Sequence, residues 1–211
     1  MNYDMPIQVR SNPVVTGAPF FSEAIRNHQG WSHRISARGG FDTASFSIVQ
    51  PSPYTIEYWL NDFLGASVTR YDHIGQIMWE GYIHSITATL PARQISRTLE
   101  NLANRIQVVY AFTDYDDCSQ ISGETTITPN LEDTISQEKY GIAKVLLSIG
   151  QATTDEATTE ANLYLSIYKE PPHEIRDVND NRLDLTVECR GYSHWFKRRY
   201  FGRTTTNPPT T

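Results

Sequence analysis

Histidines are the side chains best suited to proton transfer or metal binding, and six are scattered along the chain: His28, His33, His73, His84, His173 and His194. Two of them end similar segments, Glu80-Gly-Tyr-Ile-His84 and Arg190-Gly-Tyr-Ser-His194, so neighbouring strands could bring these imidazoles together. A zinc site needs at least three protein ligands, and neither segment supplies a third at a fixed spacing. The sequence therefore disfavours a metal centre, and we expect no cofactor.

A run of carboxylates, Asp114, Asp116 and Asp117, resembles the start of a calcium-binding loop. An EF-hand loop also needs a glycine and a terminal bidentate glutamate, which this spacing lacks, so a solvated acidic loop is the favoured interpretation. Paired carboxylates for glycoside hydrolysis stay open, because their geometry is tertiary and sequence spacing does not report it. The sequence motifs of serine hydrolases, phosphate-binding loops and zinc proteases do not occur. We therefore expect a protein that is not an enzyme.

The four tryptophans, Trp31, Trp59, Trp79 and Trp195, could form a face that stacks on sugar rings. All four lie within apolar strand or helix patterns, so packing in a core or an interface is the favoured interpretation. A carbohydrate- or receptor-binding β module is the alternative function that these residues suggest.

Alternating, β-type patterns position most of these side chains. We predict strands over 31–38, 41–49, 68–71, 77–90, 94–99, 105–112, 175–178, 183–192 and 194–201. One face of the first strand, formed by Trp31, His33, Ile35 and Ala37, is expected to be buried. Turn signals at short intervals favour an antiparallel β-barrel or sandwich.

The clearest helix signal lies at 52–65. Ser52 suits the N-cap, Pro53 suits the first helical position and Gly65 suits the end. The apolar residues fall on one stripe at helical spacing: Ile56, Trp59, Leu60, Phe63 and Leu64. We predict that this helix packs on a sheet or at a barrel end.

Two further helices are predicted over 135–149 and 155–168, the second opened by the capping box Thr153-x-x-Glu156. The predicted fold class is therefore mainly β (α+β), with the capped helix at 53–64 and an inserted helical segment at about 131–168. We predict a single β-barrel domain over 1–201 that is interrupted by an insertion at about 114–170. Residues 202–211 are expected to form an extended tail or linker.

Composition and charge limit the classes of partner that we expect for this protein. Hydrophobic residues make up 39% and charged residues 20% of the chain, which is typical of a folded protein and not of a disordered one. The net charge of −6 gives no global attraction to nucleic acid or to anionic membranes. A local exception is the basic cluster that forms the candidate interface: Lys197, Arg198, Arg199 and Arg203. It is either a solvated strand end or a contact to an acidic neighbour or phosphate.

Two distant cysteines, Cys118 and Cys189, form neither a disulfide framework nor a metal-binding spacing. Cys189 is expected to be a small core residue. The N-terminus lacks the features of a signal peptide, and no apolar run reaches the length of a membrane helix. We expect a soluble protein, folded in a reducing cytoplasm and without membrane insertion.

Six segments together resemble the hub proteins of phage tails and baseplates, which are related in fold to the spike protein of type VI secretion systems. In chain order they are Gly39-Gly-Phe41, the helix end Leu60-x-x-Phe-Leu-Gly65, Tyr71-Asp-x-x-Gly75 through Trp79-Glu-Gly-Tyr-Ile83, Leu102-Ala-Asn-Arg-Ile-Gln-Val-Val-Tyr110, Ser136-x-x-x-Tyr-Gly141, and Gly191-Tyr-Ser-His-Trp-Phe-x-x-Arg-Tyr200. Their order along residues 39–201, more than any one segment, carries the resemblance.

The resemblance implies a structural role. Such hubs present β-barrel domains that assemble as a ring, commonly a homotrimer, and join the tail tube to the tip. It implies contacts with tube, distal tail or tip proteins, a place in the virion, and a lumen through which DNA passes without specific binding. Hubs of this type usually continue with a second barrel, where this sequence has a Thr/Pro-rich tail. The alternative to a hub is a carbohydrate- or receptor-binding β module on a tail.

Overall fold

A computed structural model of the chain describes residues 5–10, 22–37, 40–113 and 125–194. Contacts divide the chain into two compact units, one of Met1–Glu100 with Pro171–Thr211 and the other of Asn101–Glu170. The second unit begins before residue 114, where the composition changes, because the strand at 105–112 pairs within that unit. Residues 192–194 are helical, so the strand predicted over 194–201 is wrong at its first residue. The rest of that strand and the predicted tail at 202–211 lie outside the described residues.

Within the described ranges, most elements are strands, and three complete helices lie between them. In chain order they are β1 (Ile7–Arg10), β2 (Ser22–Ile25), β3 (His28–Ser36), β4 (Gly40–Ile48), α1 (Pro53–Asp62), β5 (Ser67–Tyr71), β6 (Ile77–Leu90), β7 (Arg93–Thr98), β8 (Arg105–Phe112), β9 (Thr125–Ile127), β10 (Leu131–Glu132), α2 (Thr134–Tyr140), β11 (Lys144–Ala152), α3 (Thr154–Tyr168), β12 (Glu174–Asp177) and β13 (Asp184–Gly191). The predicted mainly β, α+β class is confirmed.

The described strands of the first unit form a nine-stranded sheet in the order β2-β1-β5-β6-β13-β4-β3, with β7 branching from β6 and β12 pairing with β7. All its described pairs are antiparallel, as predicted. The predicted barrel is wrong, because the sheet does not close on itself. The reason lies in β6, whose first half pairs with β5 and whose second half pairs with β7, so the strand order forks instead of returning.

Helix α1 confirms the local signals read from its sequence. The Ser52 hydroxyl accepts a hydrogen bond from the Thr55 backbone N–H, and Pro53 begins the helix. The predicted apolar stripe is buried in the core, with exposed fractions of 0–5%: Ile56, Trp59, Leu60, Phe63 and Leu64. Gly65 follows with φ +84°, a backbone conformation that side chains with a Cβ rarely adopt.

The tight turn between β5 and β6 is held by one carboxylate. Asp72 Oδ1 accepts hydrogen bonds from the backbone N–H groups of Ile74 (2.9 Å) and Gln76 (2.8 Å), and Gly75 has φ +82°. This is the local chemistry of an Asx turn. The hairpin predicted on either side of Asp72 is therefore confirmed.

The predicted burial of one face of β3 is wrong. Ile35 is 55% exposed and His33 is also exposed. Among the described strands, β3 lies at the edge and pairs only with β4, and register shifts between Gln29 and Ser32 and between His33 and Ile35 break the alternation. Bulges of this kind re-aim side chains, so a period-two pattern in sequence no longer marks one face.

Close packing explains why a Gly-Tyr pair occurs in both β6 and β13. Gly81 and Gly191 face each other across the ladder between these strands. A Cβ on Gly191 would collide with the backbone carbonyl of Phe41, and one on Gly81 would collide with the Arg190 carbonyl oxygen and the Trp79 ring. The structure thus supports the interpretation that each strand needs glycine where a neighbour approaches closely.

In the second unit, β8 pairs antiparallel with β9 and β10 on one side and parallel with β11 on the other. A helix over 135–149 was predicted, and that prediction is wrong beyond Tyr140. Gly141, with φ +78°, ends α2, and residues 144–152 form β11 instead. Val145, Leu147 and Ile149 alternate along β11 and pack on the buried core, a period of two that fits a strand. The predicted helical segment at about 131–168 therefore contains a strand between its two helices.

Helix α3 begins as predicted. The Thr153 hydroxyl accepts from the Glu156 backbone N–H at 3.2 Å, and Glu156 Oε2 accepts from the Thr153 backbone N–H at 2.8 Å. Ala157 and Ala161 are fully buried and let α3 lie close to β8. The capping box thus fixes the residue at which this helix begins, and the two alanines determine which face of the helix packs on β8.

A buried arginine links three parts of the first unit. Arg97 on β7 is 5% exposed, and it donates from Nε to the Pro171 carbonyl (3.1 Å) and from a terminal nitrogen to the Leu60 carbonyl (2.7 Å).

We expect Arg97→Met to cost about 3 kcal/mol in the free energy of unfolding, because two charge-assisted hydrogen bonds are lost and two carbonyls stay buried. Denaturant unfolding followed by tryptophan fluorescence measures this loss. The exposed Arg176→Met is the control, and an equal loss in both variants would contradict the prediction.

Candidate interaction surfaces

The two histidines considered for a metal site have separate carboxylate partners. His84 is 4% exposed, and its Nε2 lies 3.0 Å from Glu100 Oε2. His194 Nε2 lies 2.7 Å from Asp42 Oδ1, on β4. Across residues 5–10, 22–37, 40–113 and 125–194, no group of three or more His, Cys, Asp or Glu side chains is arranged to hold a metal ion. The acidic run at 114–117 lies outside these ranges.

A polar cleft of about 400 Å³ opens on the face of the first unit's sheet around β3, β4 and β13. Its lining carries hydroxyl, imidazole, guanidinium and carboxylate groups: Ser32, His33, Arg34, Thr43, Ser45, His84, Glu188 and Arg190. Neighbouring strands order these groups, since the Ser32 and Ser45 hydroxyls are 2.9 Å apart and Ser85 donates to Glu188 at 2.9 Å. Arg190 reaches Glu100 Oε2 at 3.1 Å. The cleft therefore offers many hydrogen-bond donors and acceptors.

Cys189 also borders this cleft, but it is 1% exposed. Burial, followed by the charge of Glu188, raises the pKa of the Cys189 thiol far above its ordinary value. A nucleophilic cysteine needs a lowered pKa and access to solvent. Cys189 is therefore the inert core residue predicted from sequence, and Cys118 lies outside the described residues.

One side of α1 forms a surface that we call the acidic aromatic face, defined as Tyr54, Tyr58 and Asp62 of α1 with Glu23 of β2. The Tyr54 and Tyr58 rings stack, with centroids 6.3 Å apart and planes 13° apart, and Tyr58 meets Phe63 edge-on at 5.0 Å. Burial first, and then the charges of Glu23 and Asp62, raise the pKa of Tyr58. The face thus combines an exposed aromatic pair with carboxylates.

On the other side of α1, an apolar groove of about 350 Å³ separates the helix from the ends of β6, β7 and β12. Its lining is largely aliphatic: Pro53, Ile56, Leu60, Leu90, Ile95 and Ile175, with Glu57, Asn61 and His173 as the polar members. Ile175 is 62% exposed, and its strand β12 pairs only with β7 in the described part of the chain. An open strand edge beside an apolar groove is the usual chemistry of a protein-binding surface.

His173 makes the stability of this region pH-dependent. Burial first, and the nearby Arg97 charge second, lower the pKa of His173 below 6.5. The neutral imidazole is favoured in the fold, so its contribution is fully present above about pH 6.5 and is lost as pH falls through the folded-state pKa. We expect His173→Gln to flatten the fall in unfolding free energy on the acidic side of pH 6.5, measured by denaturant unfolding between about pH 5 and 8. Parallel curves for the two proteins would contradict this.

The structure describes some of the residues singled out in the sequence and leaves others outside the described ranges. Trp59 and Trp79 are buried in the core, as the packing interpretation requires, and Trp31 is half-buried beneath the Arg70 guanidinium at 4.9 Å. Trp195 lies outside the described residues, as does the whole candidate interface: Lys197, Arg198, Arg199 and Arg203. The Tyr54–Tyr58 pair was not predicted from the sequence. The signal that could have found it is the spacing of four residues, which places two side chains on the same face of a helix.

Comparisons with known proteins add no relative, because no family model, no curated protein and no solved structure matches this chain. None of the helices in the described ranges is long and apolar enough to span a bilayer. The function is therefore argued from the residues and their geometry.

Proposed function

We propose that this protein is a non-enzymatic structural component of a phage tail tip or baseplate, a hub-like protein that joins the tail tube to the tip by ring assembly. Its partners would be further copies of itself, with a homotrimer expected, and the tube, distal tail or tip proteins. It would be made in the host cytoplasm and reside in the virion. The ordered set of six hub-like segments along residues 39–201 motivates the assignment.

The observation that carries the proposal is the edge of β12 beside the apolar groove, which no other described strand pairs with. A strand edge presents unpaired N–H and C=O groups, and the exposed Ile175 extends the apolar lining out to that edge. Large contiguous apolar surface on a folded protein marks protein–protein or membrane interaction sites and ligand-binding grooves. A surface of this kind supports a function exercised through assembly.

Mass measurement in solution and co-purification with tail proteins test the proposal. Ile175→Lys should reduce assembly by placing a charge in the groove, while the secondary structure seen by circular dichroism is retained. Ile74→Lys is the matched control, since Ile74 is 65% exposed at the turn between β5 and β6, away from the groove. A wild-type protein that remains a monomer and never co-purifies with tail components would reject the assignment.

The polar cleft favours a second candidate, a carbohydrate- or receptor-binding module on a tail. Hydroxyl, carboxylate and guanidinium groups in one cleft match the many donors and acceptors of a glycan. Glycan-array binding that is lost in Glu188→Ala and kept in Glu174→Ala, an exposed glutamate on β12, would support it. The absence of binding to any glycan would remove this candidate.

A further inference from the structure

We propose that the protein forms a two-fold pair in which β12 of one copy lies antiparallel to β12 of a second copy, with Ile175 at the symmetry axis. This inference goes beyond the proposed tail function. A two-fold contact has no place between neighbours in a ring of three, so the pair describes the free protein, and tail assembly would replace this contact.

An apolar row crosses the sheet of the first unit and ends at the surface on β12. Residues directly opposite each other in successive ladders form it: Ile48 on β4, Leu185 on β13, Ala88 on β6, Ile95 on β7 and Ile175 on β12. The first three are at most 1% exposed, whereas Ile175 is 62% exposed. No other described strand continues the row past Ile175. A further strand with an apolar residue opposite Ile175 would therefore cover the exposed end of the row.

The backbone of β12 is oriented to accept such a strand. The Val178 N–H donates to the Ala92 carbonyl at 3.2 Å, so these two residues form a hydrogen-bonded pair at the end of the β7–β12 ladder. Hydrogen-bonded and non-hydrogen-bonded pairs alternate along an antiparallel ladder. The N–H and C=O groups of Ile175 and Asp177 therefore point away from β7, where an added strand would bind them.

The residues around Ile175 are complementary to their own reversed sequence. When the order His173-Glu-Ile-Arg-Asp177 is laid antiparallel on itself with Ile175 opposite Ile175, Glu174 lies opposite Arg176 and His173 lies opposite Asp177. Glu174 and Arg176 share one face of β12, with 3.4 Å between their charged groups, and both are exposed. Opposite charges directly across a ladder stabilise it, so a second copy of this strand matches the edge.

Other arrangements of the two strands lack this complementarity. Moving the axis by half a residue places Glu174 opposite Asp177 or His173 opposite Arg176, and moving it by a whole residue places Glu174 or Arg176 opposite itself. Parallel pairing in register also brings identical charges together. Like charges directly opposite each other are destabilising. The sequence therefore selects the antiparallel register with Ile175 on the axis.

Sedimentation equilibrium of the full-length protein tests the proposal, and we expect a monomer–dimer equilibrium for the wild type. Glu174→Arg would place arginines opposite each other on both sides of the axis, and Arg176→Glu would place glutamates there. Each variant should raise the dissociation constant of the dimer by about tenfold or more. Glu160→Arg, the same charge reversal at an exposed site on α3, should leave this constant unchanged.

An equimolar mixture of Glu174→Arg and Arg176→Glu is the decisive measurement. In a mixed pair the arginines of one copy lie opposite the glutamates of the other, so we expect a heterodimer with about the wild-type affinity. Variants that failed to fold could not give this recovery. The double variant Glu174→Arg/Arg176→Glu should also dimerise, because it contains the wild-type pairs in reverse.

Disulfide formation reports the register. In the proposed pair the Cα atoms of the two residues at 175 are about 5.5 Å apart, a distance that a disulfide spans. The two residues at 177 are offset by four positions along the strands, or about 13 Å, which a disulfide does not span. Ile175→Cys should therefore oxidise to a covalent dimer, and Asp177→Cys should not.

A wild-type dimer that both single charge reversals leave unchanged would overturn the proposal. A wild-type monomer or trimer would also overturn it, and if that species co-purified with tail proteins the tail function would stand. A dimer that passes the charge-reversal tests but never co-purifies with tail proteins would support the pair and count against the tail function.

Discussion

Gly191→Ala is expected to destabilise the first unit by on the order of 4 kcal/mol or more, enough to unfold a protein of ordinary stability. The added Cβ would collide with the Phe41 backbone carbonyl and lie 3.2 Å from the Phe41 Cβ, and a strand paired on both sides has little room to move. Gly81→Ala should act in the same direction, because its Cβ would meet the Arg190 carbonyl oxygen and lie 2.9 Å from the carbonyl carbon. Overpacking against backbone is relieved less easily than overpacking against a side chain.

Denaturant unfolding followed by tryptophan fluorescence measures this effect selectively, because all four tryptophans belong to the first unit. Gly150→Ala on β11 is the control, since no atom lies within 4 Å of its added Cβ. Circular dichroism, which senses both units, should show that variant unchanged or stabilised by about 0.4–1 kcal/mol. A Gly191→Ala protein with wild-type stability would show that β13 and β4 separate more easily than the structure implies.

Asn104→Ala is expected to destabilise the second unit by about 3 kcal/mol. The side chain is fully buried, and Nδ2 donates to Ser136 Oγ (3.1 Å) and to the Gly141 carbonyl (2.8 Å) while Oδ1 accepts from the Ala143 backbone N–H (2.8 Å). This one amide ties β8 to the end of α2 and the start of β11. Alanine would leave the buried Gly141 carbonyl and Ala143 N–H without this partner, whereas Ser136 Oγ keeps its bond to the Lys169 carbonyl. Each buried group that loses its hydrogen bond costs about 1–3 kcal/mol.

Hydrogen exchange at the amides of β8 and β11 reports the opening of this unit directly. Asn162→Ala is the matched control, because the Asn162 Nδ2 also donates to a backbone carbonyl, that of Thr158 at 3.0 Å, but on the exposed side of α3. We expect faster exchange in Asn104→Ala and little change in Asn162→Ala. Equal exchange in the two variants would contradict the role assigned to Asn104.

Elements whose signals are local were predictable from the sequence. Ser52 and Pro53 fix the start of α1, Thr153 and Glu156 fix the start of α3, and Asp72 fixes the turn between β5 and β6 through bonds to the next few residues. In each case the stabilising partner lies within four positions, so the sequence contains the whole interaction. Strand boundaries such as those of β6 and β8 followed from alternation.

Elements that depend on partners distant in the sequence could not be predicted from it. The sequence of β11 fits helical spacing as well as alternation, and the parallel ladder to β8 decides between them. The exposure of Ile35 depends on bulges against β4 and on the edge position of β3. Barrel closure failed for the same reason, since nothing local to β6 shows that its two halves pair with different strands.

The candidate surfaces follow the same division. Tyr54 and Tyr58 are four residues apart on a confidently marked helix, so their stacking was within reach of sequence reasoning. The apolar groove and the polar cleft collect residues from several elements that are distant in sequence, such as Ile56 with Ile175 and Ser45 with Glu188. Only the sheet topology brings these side chains together.

The position of β13 in the chain has a consequence for how the protein folds during synthesis. This strand lies between β4 and β6, yet Ser47 and Thr186, which are neighbours across the ladder to β4, are 139 positions apart. The ribosome therefore completes the sequence of β8–β11 and α3 before it supplies the middle strand of the larger sheet. Until then β4 and β6 each keep an open edge, and contacts of such long range form slowly. The nascent first unit is thus the part of this protein most in need of protection from aggregation, and a chain that stops before residue 184 would hold a sheet with a gap at its centre.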